Sequence, residues 1–144
     1  MKNAKWVGIV TVLVVGVGIV FMSAKTAEQP LVEVNNTRIP VEIVETPEAQ
    51  AQGLSGRESL PRNSGMLFIL SEPRTPSFWM KDMRFAIDII WISEEKKIVG
   101  IERNVSPDTY PQTFSPAVPA RYVLEVNGGL ATQHSIKQGD SVAF

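Results

Sequence analysis

The chain has 144 residues, 44% of them hydrophobic, which is enough for one domain of ordinary size and too few for two. Its 14 basic and 15 acidic residues give a formal net charge of −1, and no basic run is longer than Lys96-Lys97, so the charge does not support nucleic-acid binding. The sequence contains no cysteine, which excludes disulfides, thiolate metal sites and a cysteine nucleophile.

The N-terminal region predicts a membrane anchor. From Trp6 to Met22 the sequence is uncharged and almost wholly apolar. As a helix with a rise of ~1.5 Å per residue, this run would span about 25 Å, near the lower limit for crossing a bilayer core. Lys2 and Lys5 precede the run, and positive residues stay on the cytoplasmic side. We therefore expect a single-pass protein of the cell membrane with a cytoplasmic N-terminus (1–5), a transmembrane anchor (6–22), a linker (23–30) and an extracytoplasmic domain (31–144).

A cleaved signal peptide is the alternative interpretation of this segment, because it also begins with basic residues and an apolar run. Cleavage prefers small residues one and three positions before the cut. Cleavage after Ala24 would place the bulky Met22 at the outer position, and cleavage after Ala27 would place Lys25 there. An uncleaved anchor is therefore favoured. The absence of a cysteine near the run excludes a lipoprotein anchor.

The rest of the chain predicts short strands connected by turns. Apolar residues alternate with polar ones, or form short runs, between segments rich in Gly, Pro, Asn and charge. Two short helices are also predicted: Pro47–Gln52, with Thr46 as a capping residue, and the turn Gly129–His134. The predicted strands are Leu31–Val34, Arg38–Val44, Gly65–Leu70, Ser77–Met80, Ile87–Ile92, Ile98–Ile101, Tyr122–Val126 and Asp140–Phe144.

These elements predict an α+β fold that is mostly β: a small, largely antiparallel, closed or partly closed β-barrel with two short helices. Most connections are short, as antiparallel pairing allows, and closure would remove exposed sheet edges. The exception is Asn104–Ala120, which contains four prolines. We expect a long loop there, and a loop of this length in a small domain is usually functional or disordered.

Three blocks of the sequence resemble a known family. They are GLSGRESLPRNSGMLFIL, FWMKDMRFAIDIIWI and YVLEVNGGLATQHSIKQGDSVAF, and they are similar to domain-of-unknown-function family 192, small and usually exported prokaryotic proteins. The likeness covers about Ile39 to Phe144. The chain departs from the family's pattern at Asp82-Met83-Arg84-Phe85, where the family has Asn-Thr and a shorter link containing proline. The resemblance implies export and a compact β-rich fold, and it implies no reaction because the family has no assigned activity.

Two carboxylates lie within apolar strands: Asp88 in Ile87–Ile92 and Glu125 in Tyr122–Val126. Buried carboxylates are costly unless paired, and paired titratable groups in a cleft can perform acid/base catalysis. Alternatively, each faces solvent or pairs with a basic residue to fix the fold. Strand alternation favours this structural role over catalysis, because a half-buried strand has one solvated face.

The segment Phe78–Met83 combines aromatic, thioether and charged side chains, and its rings could stack on a ligand ring. Trp79, Met80 and Met83, together with the only histidine, His134, offer soft ligands of the kind that suit Cu(I). Methionines and aromatic residues at alternating strand positions are, however, more often plain core. No Gly-x-Ser-x-Gly motif or phosphate-binding glycine loop is present.

These features favour a membrane-tethered, extracytoplasmic accessory protein of the cell envelope that binds a small molecule or an envelope protein, without a cofactor, a metal or nucleic acid. One alternative is a hydrolase or lyase with Asp88 and Glu125 as acid and base. A second is a protein that handles Cu(I). The functional surface is expected where Trp79 and both carboxylates approach the Asn104–Ala120 loop. The candidate ligand-binding residues are Arg57, Trp79, Met80, Lys81 and Tyr110.

Overall fold

The structure, a computed structural model, describes residues 29–144. This part of the chain forms short strands, two short α-helices and one turn of 3-10 helix at Pro107–Thr109. The helices are α1 (Pro47–Gln52) and α2 (Leu130–Gln133). The strands are β1 (Leu31–Val34), β2 (Thr37–Val44), β3 (Gly65–Arg74), β4 (Phe78–Trp79), β5 (Ile87–Ile92), β6 (Ile98–Val105), β7 (Thr113–Phe114), β8 (Ala120–Asn127) and β9 (Val142–Ala143).

Seven strands form one sheet in the order β6-β5-β8-β3-β2-β1-β9, while β4 and β7 pair separately. Neighbouring strands are antiparallel except β2 and β3, which run parallel. A parallel pair requires a crossover connection of a dozen or more residues, usually with a helix. The segment between β2 and β3, which contains α1, provides that connection. The sheet is therefore largely antiparallel, as predicted, with β2 and β3 as its one parallel pair.

The sheet curls into a half-barrel. Its two edge strands approach each other at one isolated bridge between Lys97 and Ser141. The backbone N–H of Ile98 donates to the Asp140 carbonyl at 3.0 Å, and the Val142 N–H donates to the Lys96 carbonyl at 2.9 Å. These bonds protect part of both edges. The mostly-β fold with two short helices is thus confirmed, with a half-barrel as its sheet.

The side chains of consecutive residues in β5 point to opposite faces of the sheet, so they contribute to two separate cores. All six residues of β5 are buried. Ile90 belongs to one core, which also contains Leu124 of β8 and is covered by α2. Trp91 belongs to the other, which contains Phe68, Met80 and Val123. We call these two sides of the sheet the Ile90 face and the Trp91 face.

Several segments differ from the prediction. β3 and β6 each extend four residues further than expected, to Arg74 and Val105. The expected strand Ser77–Met80 is reduced to β4, which pairs with β7 outside the main sheet. The expected last strand, Asp140–Phe144, is reduced to β9. The Asn104–Ala120 segment, which was expected to be a long loop, contains regular structure: the 3-10 turn and β7. Its 3-10 turn is fixed by Ser106, whose hydroxyl accepts a hydrogen bond from the Asp108 N–H.

The predicted anchor (6–22) and most of the linker (23–30) lie outside the described residues. Within residues 29–144, no helix has the length and apolar character that a membrane crossing requires.

Candidate functional site

A cleft of about 650 Å³ opens on the Trp91 face. One wall is α1 with the segment that follows it, and the other is built from β3 and β4. Three hydrogen bonds attach the first wall to the rest of the domain. The Gly56 N–H donates to the Asp82 carbonyl and the Ser55 hydroxyl donates to the Lys81 carbonyl, each at 2.9 Å, and the Gln50 side-chain amide donates to the Ile69 carbonyl at 2.7 Å. The large apolar side chains that line the cleft are Leu54, Phe68, Leu70, Phe78, Trp79 and Met83.

Glu125 forms the floor of this cleft. Its strand, β8, is central in the sheet, and its neighbours in register on the adjacent strands are Met66 and Ile89. Only 6% of the residue is exposed. Among the described residues, no hydrogen-bond donor reaches its carboxyl group, and burial raises the pKa of Glu125 from 4.5 to about 8. The group is therefore largely protonated at neutral pH and can donate a hydrogen bond into the cleft.

A glycine allows the strands beneath Glu125 to approach closely. A Cβ atom at Gly65 would lie 2.7 Å from the backbone carbonyl oxygen of Glu125 and 3.0 Å from side-chain atoms of Leu124 and Val126. Real Cβ contacts are not this short, so any larger residue would push β3 away from β8. The sequence block GMLFIL therefore begins with the residue that this strand pair requires.

Asp88, the other candidate carboxylate, lies on the opposite face of the sheet. Its Oδ1 accepts hydrogen bonds from the backbone N–H groups of Asn104 at 2.7 Å and Gly129 at 2.9 Å. Its Oδ2 accepts from the Ala131 N–H at 2.8 Å. The residue is fully buried. Asp88 thus joins the end of β6 to the first turn of α2, where a negative charge is favourable.

The predicted acid/base pair is not formed. In the register of β5 and β8, Asp88 lies beside Val126 and Glu125 beside Ile89. Side chains at successive positions of paired strands point to opposite faces. The two carboxylates are therefore separated by the sheet. Asp88 has a structural role, but in neither expected form: it is buried rather than solvated, and it is bound by backbone N–H groups rather than by a basic residue.

The aromatic candidates meet at the rim of the cleft. Trp79 is 52% exposed and packs edge-to-face against Tyr110 with ring centroids 5.8 Å apart. The Lys81 ammonium lies 5.8 Å from the centroid of the Trp79 ring. The Asn104–Ala120 segment therefore approaches Trp79 through Tyr110, although none of its residues lines the cleft.

Two other candidates lie elsewhere. Met80 is 1% exposed and belongs to the core of the Trp91 face, so no ligand can reach it without rearrangement. Arg57 does not line the cleft, since its guanidinium forms a two-bond ion pair with Glu42 at 2.6 and 2.7 Å. Both residues therefore serve the fold.

The predicted copper ligands are not brought together. His134 follows α2 on the Ile90 face, and its Nδ1 lies 3.2 Å from the Thr37 hydroxyl. Met80 and Met83 belong to the Trp91 face. Within residues 29–144, no cluster of three or more His, Asp or Glu side chains is placed to hold a metal ion.

Several of the cleft-forming residues were not candidates from the sequence. Phe68 and Leu70 belong to an apolar run that is typical of core residues, Leu54 stands alone between Gly53 and Ser55, and all three are in part core. Only the tertiary arrangement leaves one side of each open to the cleft. The sequence signals for the site are Glu125, a carboxylate within an otherwise apolar strand, and the aromatic pair Phe78-Trp79.

Comparisons with known proteins agree with this fold. A structure of a protein of unknown function from Novosphingobium aromaticivorans DSM 12444 is 32% identical, with a TM-score of 0.76, over 81% of this chain and 85% of that chain. A second structure, from Sinorhizobium meliloti 1021 and provisionally named a transcription regulator, is 29% identical, with a TM-score of 0.70, over 74% of this chain and 81% of that chain. No curated protein matches the chain. The model of the family DUF192, described as "Uncharacterized ACR", matches residues 31–144, and the chain therefore belongs to this family, whose function is unknown.

Proposed function

We propose that the domain binds a small molecule in the cleft above Glu125 and acts as an accessory protein of the cell envelope. One observation carries the proposal: a largely buried carboxyl group, which no hydrogen-bond donor of residues 29–144 reaches, forms the floor of a cleft lined by apolar and polar side chains. A buried polar group without a partner costs folding free energy. A ligand with one well-placed polar group would supply the missing partner.

The form of the cleft supports a small ligand rather than a protein. Its volume of about 650 Å³ lies in the range of small-molecule sites, which are largely apolar with a few placed polar groups. Phe68 and Phe78 contribute aromatic surface inside, and Trp79 extends this surface to the rim. The apolar walls would contact the body of the ligand, while Glu125 would fix its orientation.

Trp79 provides a test of this site, because its exposed ring contributes more to binding than to folding. A library of small apolar compounds with one hydrogen-bonding group should yield ligands that raise the melting temperature of the full-length protein. Trp79→Ala should then weaken their binding about fivefold, since loss of an aromatic contact costs on the order of 1 kcal/mol. Isothermal titration calorimetry measures the change.

Phe144→Ala is the matched control. Phe144 is also a half-exposed aromatic residue, but it packs on Tyr122 and does not line the cleft. This variant should bind the same compounds with unchanged affinity. The proposal is wrong if no compound binds, or if the ligands bind both variants equally well.

We propose further that residues 6–22 hold this domain on the outer side of the cell membrane. The support is the uncharged apolar run behind Lys2 and Lys5. Alkaline phosphatase fused after Phe144 should be active, because this enzyme matures only outside the cytoplasm, and the fusion should remain with membranes after a carbonate wash. A soluble product that begins at Lys25 or later would show instead that the segment is a cleaved signal.

A further inference from the structure

The charges that line the cleft have an excess of one sign. Three carboxyl groups, those of Glu45, Glu72 and Glu125, line it together with one guanidinium group, that of Arg74. The neighbours of Glu125 on the flanking strands, Met66 and Ile89, carry no charge. When Glu125 is ionised, these four groups carry a net charge of −2, so the cleft attracts positive ligands.

The aromatic side chains of the cleft favour the same kind of ligand. Phe68 and Phe78 pack edge-to-face with centroids 5.1 Å apart and an interplanar angle of 86°. Trp79 lies at the rim and already has a cation, the Lys81 ammonium, 5.8 Å from its ring centroid. Aromatic faces attract ammonium groups, and the attraction is stronger where water is excluded. A carboxylate below and rings at the sides form a suitable environment for an organic cation.

Resting on the proposed function, we propose that the ligand of this cleft is an organic ammonium ion with an apolar body, and that its charge pairs with the carboxylate of Glu125. The competing class is a neutral ligand with a carbonyl or hydroxyl oxygen, which would accept a hydrogen bond from protonated Glu125. Both classes fit the volume of the cleft. They differ in the protonation state of Glu125 that they require.

This difference gives the two classes opposite pH dependence. An alkylammonium group has a pKa near 10, so it stays charged across the range of interest. Because the pKa of free Glu125 is about 8, the ammonium must displace a proton from it at neutral pH. The apparent affinity for the ammonium should therefore rise roughly tenfold per pH unit up to about pH 8 and then level off. The affinity for a neutral acceptor should be constant at low pH and fall above pH 8.

The other titratable groups of the cleft do not produce this pattern. Glu45, Glu72 and Arg74 are all exposed, and Asp88 on the neighbouring strand β5 faces away from the cleft. Solvent and salt screen the charges of exposed groups, so these side chains affect a ligand in the cleft less than the buried Glu125 does. The variant Glu125→Gln therefore decides whether a rise of affinity between about pH 6 and pH 8 belongs to Glu125.

The test uses 2-phenylethylamine and its neutral analogue 2-phenylethanol. Calorimetry at pH 6, 7, 8 and 9 would use the full chain in lipid nanodiscs, with empty nanodiscs as the blank. The amine should bind more tightly than the alcohol at pH 8, gain about tenfold in affinity per unit between pH 6 and 8, and release nearly one proton at pH 7. Glu125→Gln should abolish the proton release and the pH dependence, whereas Glu72→Gln should keep both.

The outcomes separate this inference from the proposed function. If the alcohol binds as tightly as the amine at every pH, or if the affinity for the amine does not change with pH, the ammonium class is wrong while the cleft remains a binding site. If the amine does not bind at all, the ammonium class is equally wrong. The proposed function fails as well only when the compound library also yields no ligand whose binding depends on Trp79.

Discussion

Replacing Asp88 with alanine should lower the free energy of unfolding by about 3 kcal/mol, because it leaves the buried N–H of Ala131 and the partly buried N–H groups of Asn104 and Gly129 without their acceptor. These N–H groups belong to Asn104, Gly129 and Ala131, on two separate segments of the chain. A buried donor without a partner costs about 1–3 kcal/mol, and hydrogen bonds to a charged acceptor are the stronger kind. Urea unfolding of the full-length protein, followed by tryptophan fluorescence, measures the loss.

Asparagine and a remote control refine this prediction. Asp88→Asn should lower the free energy of unfolding by an intermediate amount. The single side-chain oxygen of asparagine can still accept from Asn104 and Gly129, but its amide group faces the Ala131 N–H, and two donors cannot form a hydrogen bond. Glu94→Ala removes an exposed carboxylate and should change the free energy of unfolding by no more than about 0.5 kcal/mol. A loss below about 1 kcal/mol for Asp88→Ala would contradict the structural role that we assign to this residue.

The strands of the half-barrel could be predicted from local patterns, but their pairing could not. β5 is an apolar run interrupted only by Asp88, and β1 and β2 flank the turn at Asn35-Asn36, both of which adopt positive φ. The parallel pairing of β2 with β3 depends instead on a crossover that brings together residues distant in sequence. β4 and β7, with two residues each, are too short to show any periodicity.

The candidate site could be predicted only in part, for a related reason. The sequence shows that Asp88 and Glu125 are unusual, yet it does not show which face of the sheet each occupies. A shift of one residue between β5 and β8 would reverse their relation, so only the register decides it. The cleft walls are harder still to predict, because Phe68 and Phe78 look like core residues until the gap between α1 and β4 is known.

Glu125→Gln should make the protein more stable at alkaline pH, with a gain over the wild type of about 4–5 kcal/mol at pH 8.5. The pKa of Glu125 is about 8 in the folded protein, and the ordinary value of 4.5 applies when the chain unfolds. Between these values the folded state holds a proton that the unfolded state has lost. The contribution of Glu125 to stability is therefore fully present below about pH 4.5, is lost at about 1.4 kcal/mol per pH unit as the pH rises, and levels off above about pH 8.

Unfolding curves at pH 4, 5.5, 7 and 8.5 for both proteins would measure this effect as a difference that grows with pH. Glutamine keeps the shape and polarity of the side chain but cannot ionise. At acid pH, any difference in the free energy of unfolding between the two proteins therefore reflects packing. The additional difference at alkaline pH reflects the buried charge. Glu72→Gln, at an exposed carboxylate of the same cleft, should follow the wild-type profile. Parallel profiles for wild type and Glu125→Gln would mean that Glu125 pays no desolvation cost in the folded protein. Its carboxyl group would then have a partner already, and the cleft would lack the unsatisfied group on which ligand binding is argued.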